Sequence, residues 1–187
     1  TIESLTKYFS GHSDNFLGLI ASNSNELAKT IKTTSVRLGD YVSPESCFHA
    51  TKGLKTLKLR IEKHSKNAEK VFNFLKTKNI VKTILYLPDK NNKFHDLWKK
   101  YHTLSNGLIS FSIHNKKNVN TFIDKLNIFK IGFSWGGYES LIIPINNLKP
   151  TKKFSKNTEY WFRIHVGLES STDLINDLER ALRNYEN

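Results

Sequence analysis

Several residue types are scarce in this sequence, and each scarcity restricts the class of protein. Methionine is absent and the chain begins with Thr1, so we expect a processed protein or a piece of a longer one. The single cysteine, Cys47, cannot form an internal disulfide and is typical of a protein of the reducing cytoplasm. Acidic residues are also few: 17 Asp and Glu against 29 Lys and Arg give a net charge of +12.

Long apolar runs are missing as well. No stretch approaches the roughly 20 apolar residues needed to cross a bilayer. Residues 1–4 lack the basic start and apolar stretch of a signal peptide. The sequence therefore predicts no membrane partner, and its 38% hydrophobic and 25% charged residues indicate a folded domain with a buried core.

The positive charge leaves one alternative class open. Clustered basic residues attract phosphate, so charge alone would allow a nucleic-acid-binding protein. The basic residues are nevertheless scattered, and many recur along one predicted helix: Lys52, Lys55, Lys58, Arg60, Lys63, Lys66 and Lys70. No basic tail or nucleic-acid motif accompanies them. A solvated basic surface is the simpler interpretation, and we expect no nucleic-acid partner.

Hydrophobic periodicity predicts helices that alternate with strands. Helical spacing covers 25–38 and then runs from a cap at Ser43 and Pro44 to about residue 78, with a break near Gly53. A further short helix is predicted over 119–126, and 88–107 is predicted to be a turn and polar loop. Strands are predicted over 81–87, 108–113, 129–133, 141–145 and 160–166.

The last helix is the clearest element. Ser170 or Ser171 can cap it, and Asp173 in its first turn complements the helix dipole. Its apolar face contains Leu174, Ile175, Leu178 and Leu182, which we expect to pack on Ile109, Phe111, Ile113 and Ile164 of the sheet. The pattern predicts an α+β fold, with a small, mostly antiparallel sheet, helices on one face and a long helix before it.

Three segments contain residues suited to chemistry: 4–14, 133–140 and 163–169. In the first, the amine of Lys7 is a nucleophile for carbonyl carbons. The hydroxyls of Ser4 and Thr6 bind phosphate without adding charge. A phosphate-bearing aldehyde would thus find both an anion site and a nucleophile here. Taken alone, the same segment also fits a turn with an exposed lysine.

Taken together, the segments resemble the Cys/Met-metabolism family of pyridoxal-phosphate enzymes. The matching segments follow the family's order over nearly the whole chain: Ser4–Asp14, Ser35–Gly39, Ser43–Pro44, Lys52–Leu57, Ser134–Ser140 and Arg163–Glu169. One departure is Lys52, where the family usually has arginine. Within the family, Trp135 and the run from His165 to Glu169 are similar to bacterial cystathionine β-lyases rather than to γ-synthases and γ-lyases.

The resemblance implies pyridoxal 5'-phosphate as cofactor. Lys7 would hold it as a Schiff base and then move the substrate Cα proton, and Ser4 and Thr6 would bind its phosphate. It also implies the aspartate aminotransferase-like fold, of which this chain would be the C-terminal part. Residues 1–70 would be the end of the cofactor-binding domain with the linking helix, and residues 71–187 the C-terminal α+β domain.

The resemblance further implies the substrate contacts. Arg163 would pair with the substrate α-carboxylate through its planar guanidinium, and Ser134 and Trp135 would line the same pocket. We expect no metal site, because His12 and His165 lack ligand spacing with a cysteine or carboxylate.

The function that the resemblance implies is cleavage of cystathionine by β-elimination to homocysteine, pyruvate and ammonia, as in transsulfuration and methionine biosynthesis. The family's glycine-rich phosphate turn, ring-stacking tyrosine and pyridine-binding aspartate match nothing here. We therefore expect a truncated or split chain that needs the missing N-terminal half or a companion chain, within an enzyme that is a homo-oligomer when complete. A non-catalytic remnant or structural subunit of the same fold, and a γ-synthase or γ-lyase, are the alternatives.

Overall fold

The computed structural model describes residues 1–114, 118–145 and 159–186. Its helices are α1 (Asn25–Arg37), α2 (Pro44–Leu54), α3 (Leu57–Lys76), α4 (His95–Tyr101), α5 (Asn120–Ile123) and α6 (Ser171–Glu186). Its strands are β1 (Ile2–Ser4), β2 (Gly18–Ile20), β3 (Val81–Leu85), β4 (Leu108–His114), β5 (Lys130–Ile131), β6 (Leu141–Pro144) and β7 (Glu159–His165).

Strands β3 to β7 form one sheet in the order β3-β4-β7-β6-β5. Its neighbours are antiparallel except for β5 and β6, which are parallel. The register aligns Leu85, Ser110, Arg163 and Ile143 in one row across four strands. Because side chains alternate along a strand, this row lies on the face opposite to the core residues Ile109 and Phe111 and their strand neighbours.

The core lies between the sheet and helices α3, α5 and α6. Leu174, Leu178 and Leu182 are almost fully buried in the same cluster as the sheet residues Ile109, Phe111, Ile113 and Ile164, and Ile175 packs at its edge. The predicted contact between the last helix and the sheet is therefore confirmed, as is the predicted α+β fold with helices on one face.

One buried carboxylate fixes the chain before β5. Asp177 on α6 accepts backbone N–H groups from Asn127 at 2.8 Å, Ile128 at 2.8 Å and Phe129 at 3.1 Å. It also forms an ion pair with Arg180. Since backbone donors need partners when water is excluded, Asp177 holds this turn against the helix.

The structure corrects several sequence predictions. The hairpin β1–β2 was not predicted, and 95–101, predicted as loop, forms α4. The helix over 25–38 exists, but no residue of α1 is buried and Leu27 is 52% exposed, so the described chain leaves its apolar face largely uncovered. Among the described residues, no helix is long and apolar enough to span a membrane.

Candidate active site

Lys7 lies in a tight turn directly after β1. Its backbone N–H donates to the Ser4 carbonyl at 3.2 Å, and its carbonyl accepts the Gly11 N–H at 2.9 Å. Leu5 and Ser10, on either side, are buried. The backbone of the turn is therefore fixed while the Lys7 side chain is only partly buried.

Arg60 on α3 anchors this turn from behind. Its guanidinium donates to the carbonyls of Tyr8 at 2.7 Å, Phe9 at 3.2 Å and Gly53 at 2.8 Å. Only 6% of Arg60 is exposed, and burial lowers the pKa of its guanidinium. The sequence interpretation, which grouped Arg60 with the scattered surface cations, was wrong.

The loop from Ser134 to Ser140 closes over the lysine turn. Gly136 has a φ of 87°, and a Cβ there would come within 2.6 Å of the Tyr8 backbone nitrogen. Glycine is therefore required both for the left-handed backbone and for the close approach. At the far end of the loop, the Glu169 carboxylate accepts the Ser140 N–H at 2.7 Å and the Ser140 hydroxyl at 2.8 Å.

Side chains from these distant segments meet in one cluster. The Lys7 amine donates to the Ser134 hydroxyl at 3.0 Å and lies 4.7 Å from the centre of the Trp135 ring. The Arg163 guanidinium lies 5.0 Å from the centre of the same ring and donates to the Phe133 carbonyl at 2.8 Å. Both cations thus lie within about 5 Å of the centre of the same indole ring, whose π face attracts each of them.

Arg163 retains donor capacity. Its Nε is buried and has no hydrogen-bond partner among the described residues, and burial lowers the pKa of the guanidinium. An unsatisfied buried donor costs about 1–3 kcal/mol, so an acceptor that reached Nε would stabilise the guanidinium. With the Lys7 ammonium beside the same Trp135 ring, the cluster is suited to an anionic ligand such as a carboxylate.

The two predicted phosphate-binding hydroxyls lie just before Lys7. The Thr6 hydroxyl accepts the Leu17 N–H at 2.9 Å and makes a long contact of 3.3 Å to the Leu17 carbonyl. Its proton is thus only weakly engaged, and Ser4 is exposed. Hydroxyl donors beside a primary amine fit a phosphorylated aldehyde such as pyridoxal phosphate, although their role stays a prediction.

A buried histidine pair, His64 and His165, lies behind the cluster, and the sequence assigned neither ring a role in the site. The His165 ring lies 5.0 Å from that of His64 and 5.8 Å from that of Tyr8. Burial, and then the neighbouring His64, lower the pKa of His165 to about 3, while burial also lowers the pKa of His64. Burial raises the pKa of Tyr8 to about 12. All three are therefore neutral near pH 7.

We expect the free energy of unfolding to fall when the pH drops from 6.5 towards 3. The unfolded chain protonates His165 at its ordinary pKa of 6.5, whereas the folded chain resists protonation down to about 3. The unfolded state thus binds more protons than the folded state between pH 6.5 and about 3. The folded chain therefore has its full free energy of unfolding only above this pH range. At about pH 5, His165 alone would lower the free energy of unfolding by on the order of 2 kcal/mol, and His64 would lower it further.

Urea denaturation at about pH 7.5 and at about pH 5 measures this effect. The matched variant His165→Gln, which cannot titrate, should lose less stability on acidification than the wild type. Equal midpoints at the two pH values in the wild-type chain would contradict a depressed histidine pKa.

Comparison with known proteins identifies the family. The sequence profile described as "Cys/Met metabolism PLP-dependent enzyme" matches residues 1–183. The chain belongs to this family. Enzymes of this family use pyridoxal phosphate, which agrees with the resemblance in the sequence.

Individual relatives carry more than one reaction name. The chain is 35% identical to a cystathionine beta-lyase of Lactococcus lactis subsp. cremoris, over 97% of this chain and 49% of the relative. It is 36% identical to the cystathionine gamma-lyase of Mus musculus, over 96% of this chain and 47% of the relative. These relatives agree with the family, but their names differ: one is a beta-lyase and the other a gamma-lyase.

A solved structure agrees with the fold. The cystathionine gamma-lyase from Lactobacillus plantarum, complexed with L-serine, superposes with a TM-score of 0.90 at 30% identity, covering 99% of this chain and 50% of that one. The chain therefore spans about half the length of the relatives it matches.

Proposed function

We propose that this chain is the lysine-bearing part of a carbon–sulfur lyase that cleaves cystathionine by β-elimination to homocysteine, pyruvate and ammonia. The observation that carries the proposal is the cluster in which the Lys7 amine, the Trp135 ring and the Arg163 guanidinium are brought together. A primary amine beside a carboxylate-binding cation is what proton abstraction from an amino-acid Cα requires.

Each residue has a distinct task in this proposal. Pyridoxal phosphate, when bound, supplies the electron sink that stabilises negative charge at the substrate Cα. Arg163 binds the α-carboxylate and thereby orients the Cα proton. Lys7 takes that proton and passes it to the sulfur of the leaving homocysteine as the Cβ–S bond breaks, with Ser134 as its hydrogen-bond partner. Trp135 lies beside the amine and forms one wall of the pocket.

The choice of β-elimination over γ-elimination rests on few residues. Trp135 and His165 are the positions at which the chain resembles β-lyases. A γ-lyase or γ-synthase is the second candidate, because a gamma-lyase relative is as similar as the beta-lyase relative. A structural subunit without activity is the third candidate, and the scattered basic surface gives a nucleic-acid role the least support.

An exposed apolar surface supports the need for a companion. Phe16 is 92% exposed, Tyr41 87%, Leu38 77% and Phe48 64%, all within the segments that follow Lys7. Apolar surfaces of this kind usually mark interfaces. We propose that this surface binds the N-terminal half of the family fold, from another chain or from the rest of a longer protein, and that the complete enzyme is homo-oligomeric and cytoplasmic.

Complementation tests the proposal. The chain alone, with excess pyridoxal phosphate and cystathionine, should form little pyruvate. Co-refolding with the N-terminal half of the Lactococcus enzyme should restore pyruvate and homocysteine, identified by chromatography, and the Lactococcus C-terminal half serves as the matched control. Formation of 2-oxobutyrate and cysteine would instead assign γ-elimination. Full turnover by the chain alone would contradict the need for a companion.

A further inference from the structure

His165 makes two directional hydrogen bonds to the loop that carries Ser134 and Trp135. Its Nε2 accepts the backbone N–H of Gly136 at 3.0 Å, and its Nδ1 lies 3.0 Å from the Glu139 carbonyl. A backbone N–H can only donate and a carbonyl can only accept, so Nε2 carries no proton and Nδ1 carries one. The geometry therefore fixes one neutral tautomer.

These two bonds set the shape of the loop. Gly136 and Glu139 lie on either side of a turn, and the imidazole bridges them from within. The ring is almost fully buried, so water does not replace a lost bond at low cost. Trp135 directly precedes the bonded Gly136 N–H, and its indole direction therefore depends on that peptide.

The same imidazole also contacts the lysine turn. Its ring packs against Tyr8, the residue after Lys7, and the Tyr8 hydroxyl accepts the Gly107 N–H at 2.9 Å. Gly136 packs directly on the backbone of Lys7 and Tyr8. One side chain thus contacts both halves of the cluster, the amine-bearing turn and the loop with the indole.

We propose that His165 is a positioning residue that, through its bond to Gly136, sets the placement of Ser134 and Trp135 relative to the Lys7 amine. The effect of this positioning on turnover rests on the proposed lyase function. The effect of His165 on the geometry of the loop does not. His64 lies beside His165, but its ring donates to the Val166 carbonyl at 2.8 Å and not to the loop, and it therefore provides a matched neighbour.

Amide substitutions separate the two bonds in the 187-residue chain. In His165→Gln the side-chain amide reaches the place of Nε2 and can still accept the Gly136 N–H. In His165→Asn it reaches only the place of Nδ1 and can donate to Glu139 alone. His165→Leu removes both bonds and keeps a buried side chain of similar volume.

Hydrogen exchange of the Gly136 amide, divided by that of the core amide of Ile164, is the main measurement. We expect the ratio to rise about tenfold in His165→Leu and His165→Asn, as for loss of a hydrogen bond. It should stay within about threefold of wild type in His165→Gln and in the control His64→Leu. A role in packing alone would change both amides together and leave the ratio constant.

The wild-type chain offers a test that requires no variant. Nitrogen-15 spectra of the His165 ring should show Nδ1 protonated and Nε2 unprotonated. An Nε2-protonated ring, or an unchanged exchange ratio in His165→Leu, would overturn the proposal. In the complemented enzyme, His165→Leu should lower kcat about tenfold and His165→Gln should restore it. An inactive complemented enzyme with the expected exchange ratios would refute the lyase function and leave the positioning role intact.

Discussion

Replacing Lys7 with alanine is expected to abolish pyruvate formation in the complemented enzyme. Loss of proton transfer alone lowers kcat by on the order of 10²–10⁴-fold, and the covalent anchor of the cofactor is lost as well. The amine that the variant removes lies against Ser134 and over Trp135, and the cluster has no second amine within these contacts among the described residues. Steady-state assay of pyruvate release measures the effect.

Two comparisons make this result specific to Lys7. Lys99→Ala, at an exposed lysine of α4, should leave turnover unchanged. Arg163→Ala should mainly raise KM, since loss of a desolvated carboxylate pair weakens binding by about 2–5 kcal/mol. Retention of added pyridoxal phosphate through gel filtration gives a readout besides activity. A Lys7→Ala enzyme with a tenth of wild-type turnover would exclude Lys7 as the base.

Replacing Asp177 with alanine is expected to destabilise the chain by about 3–5 kcal/mol. The carboxylate is 2% exposed and accepts three successive backbone N–H groups before β5. Alanine leaves these donors without partners in a site that water reaches poorly, and a cavity adds to the loss. The urea midpoint of the purified chain at neutral pH measures the change.

The isosteric variant Asp177→Asn should lose roughly half as much stability as the alanine variant. The side-chain oxygen of asparagine still accepts a backbone N–H, whereas its NH2 group cannot accept one. Asp173→Ala, in the exposed first turn of the same helix, should change stability by less than about 1 kcal/mol. An Asp177→Ala chain within 1 kcal/mol of wild type would show that the backbone of 127–129 finds other acceptors.

The sequence correctly predicted the elements that have a long hydrophobic periodicity and that pack against another part of the same chain. The apolar face of α6 repeats over four turns and packs as expected on the sheet. Helix α1 has a similar pattern, but its partner surface is not among the described residues, and so none of it is buried. The strands β1 and β2 are three residues each, too short for periodicity to indicate them.

The residues of the site also fall into two groups, those that the sequence predicted and those that it missed. Lys7, Ser134, Trp135 and Arg163 belong to recognisable segments, and the structure brings them together, while their roles stay proposals. Arg60 was missed because a charged residue among lysines usually lies in solvent. Its one available signal was chemical: a lone arginine in a lysine-rich helix has the planar fork suited to several carbonyls.

The anchoring of the lysine turn by Arg60 has a consequence for motion. The carbonyls of Tyr8 and Phe9 depend on a side chain in the first turn of α3, where helices most readily fray. Each transient opening of that first turn would release the amine-bearing segment while the distant sheet stays folded. The nucleophile would then be in place only as long as the helix end remains closed, so exchange of the Arg60 amide would report how long the site persists between openings.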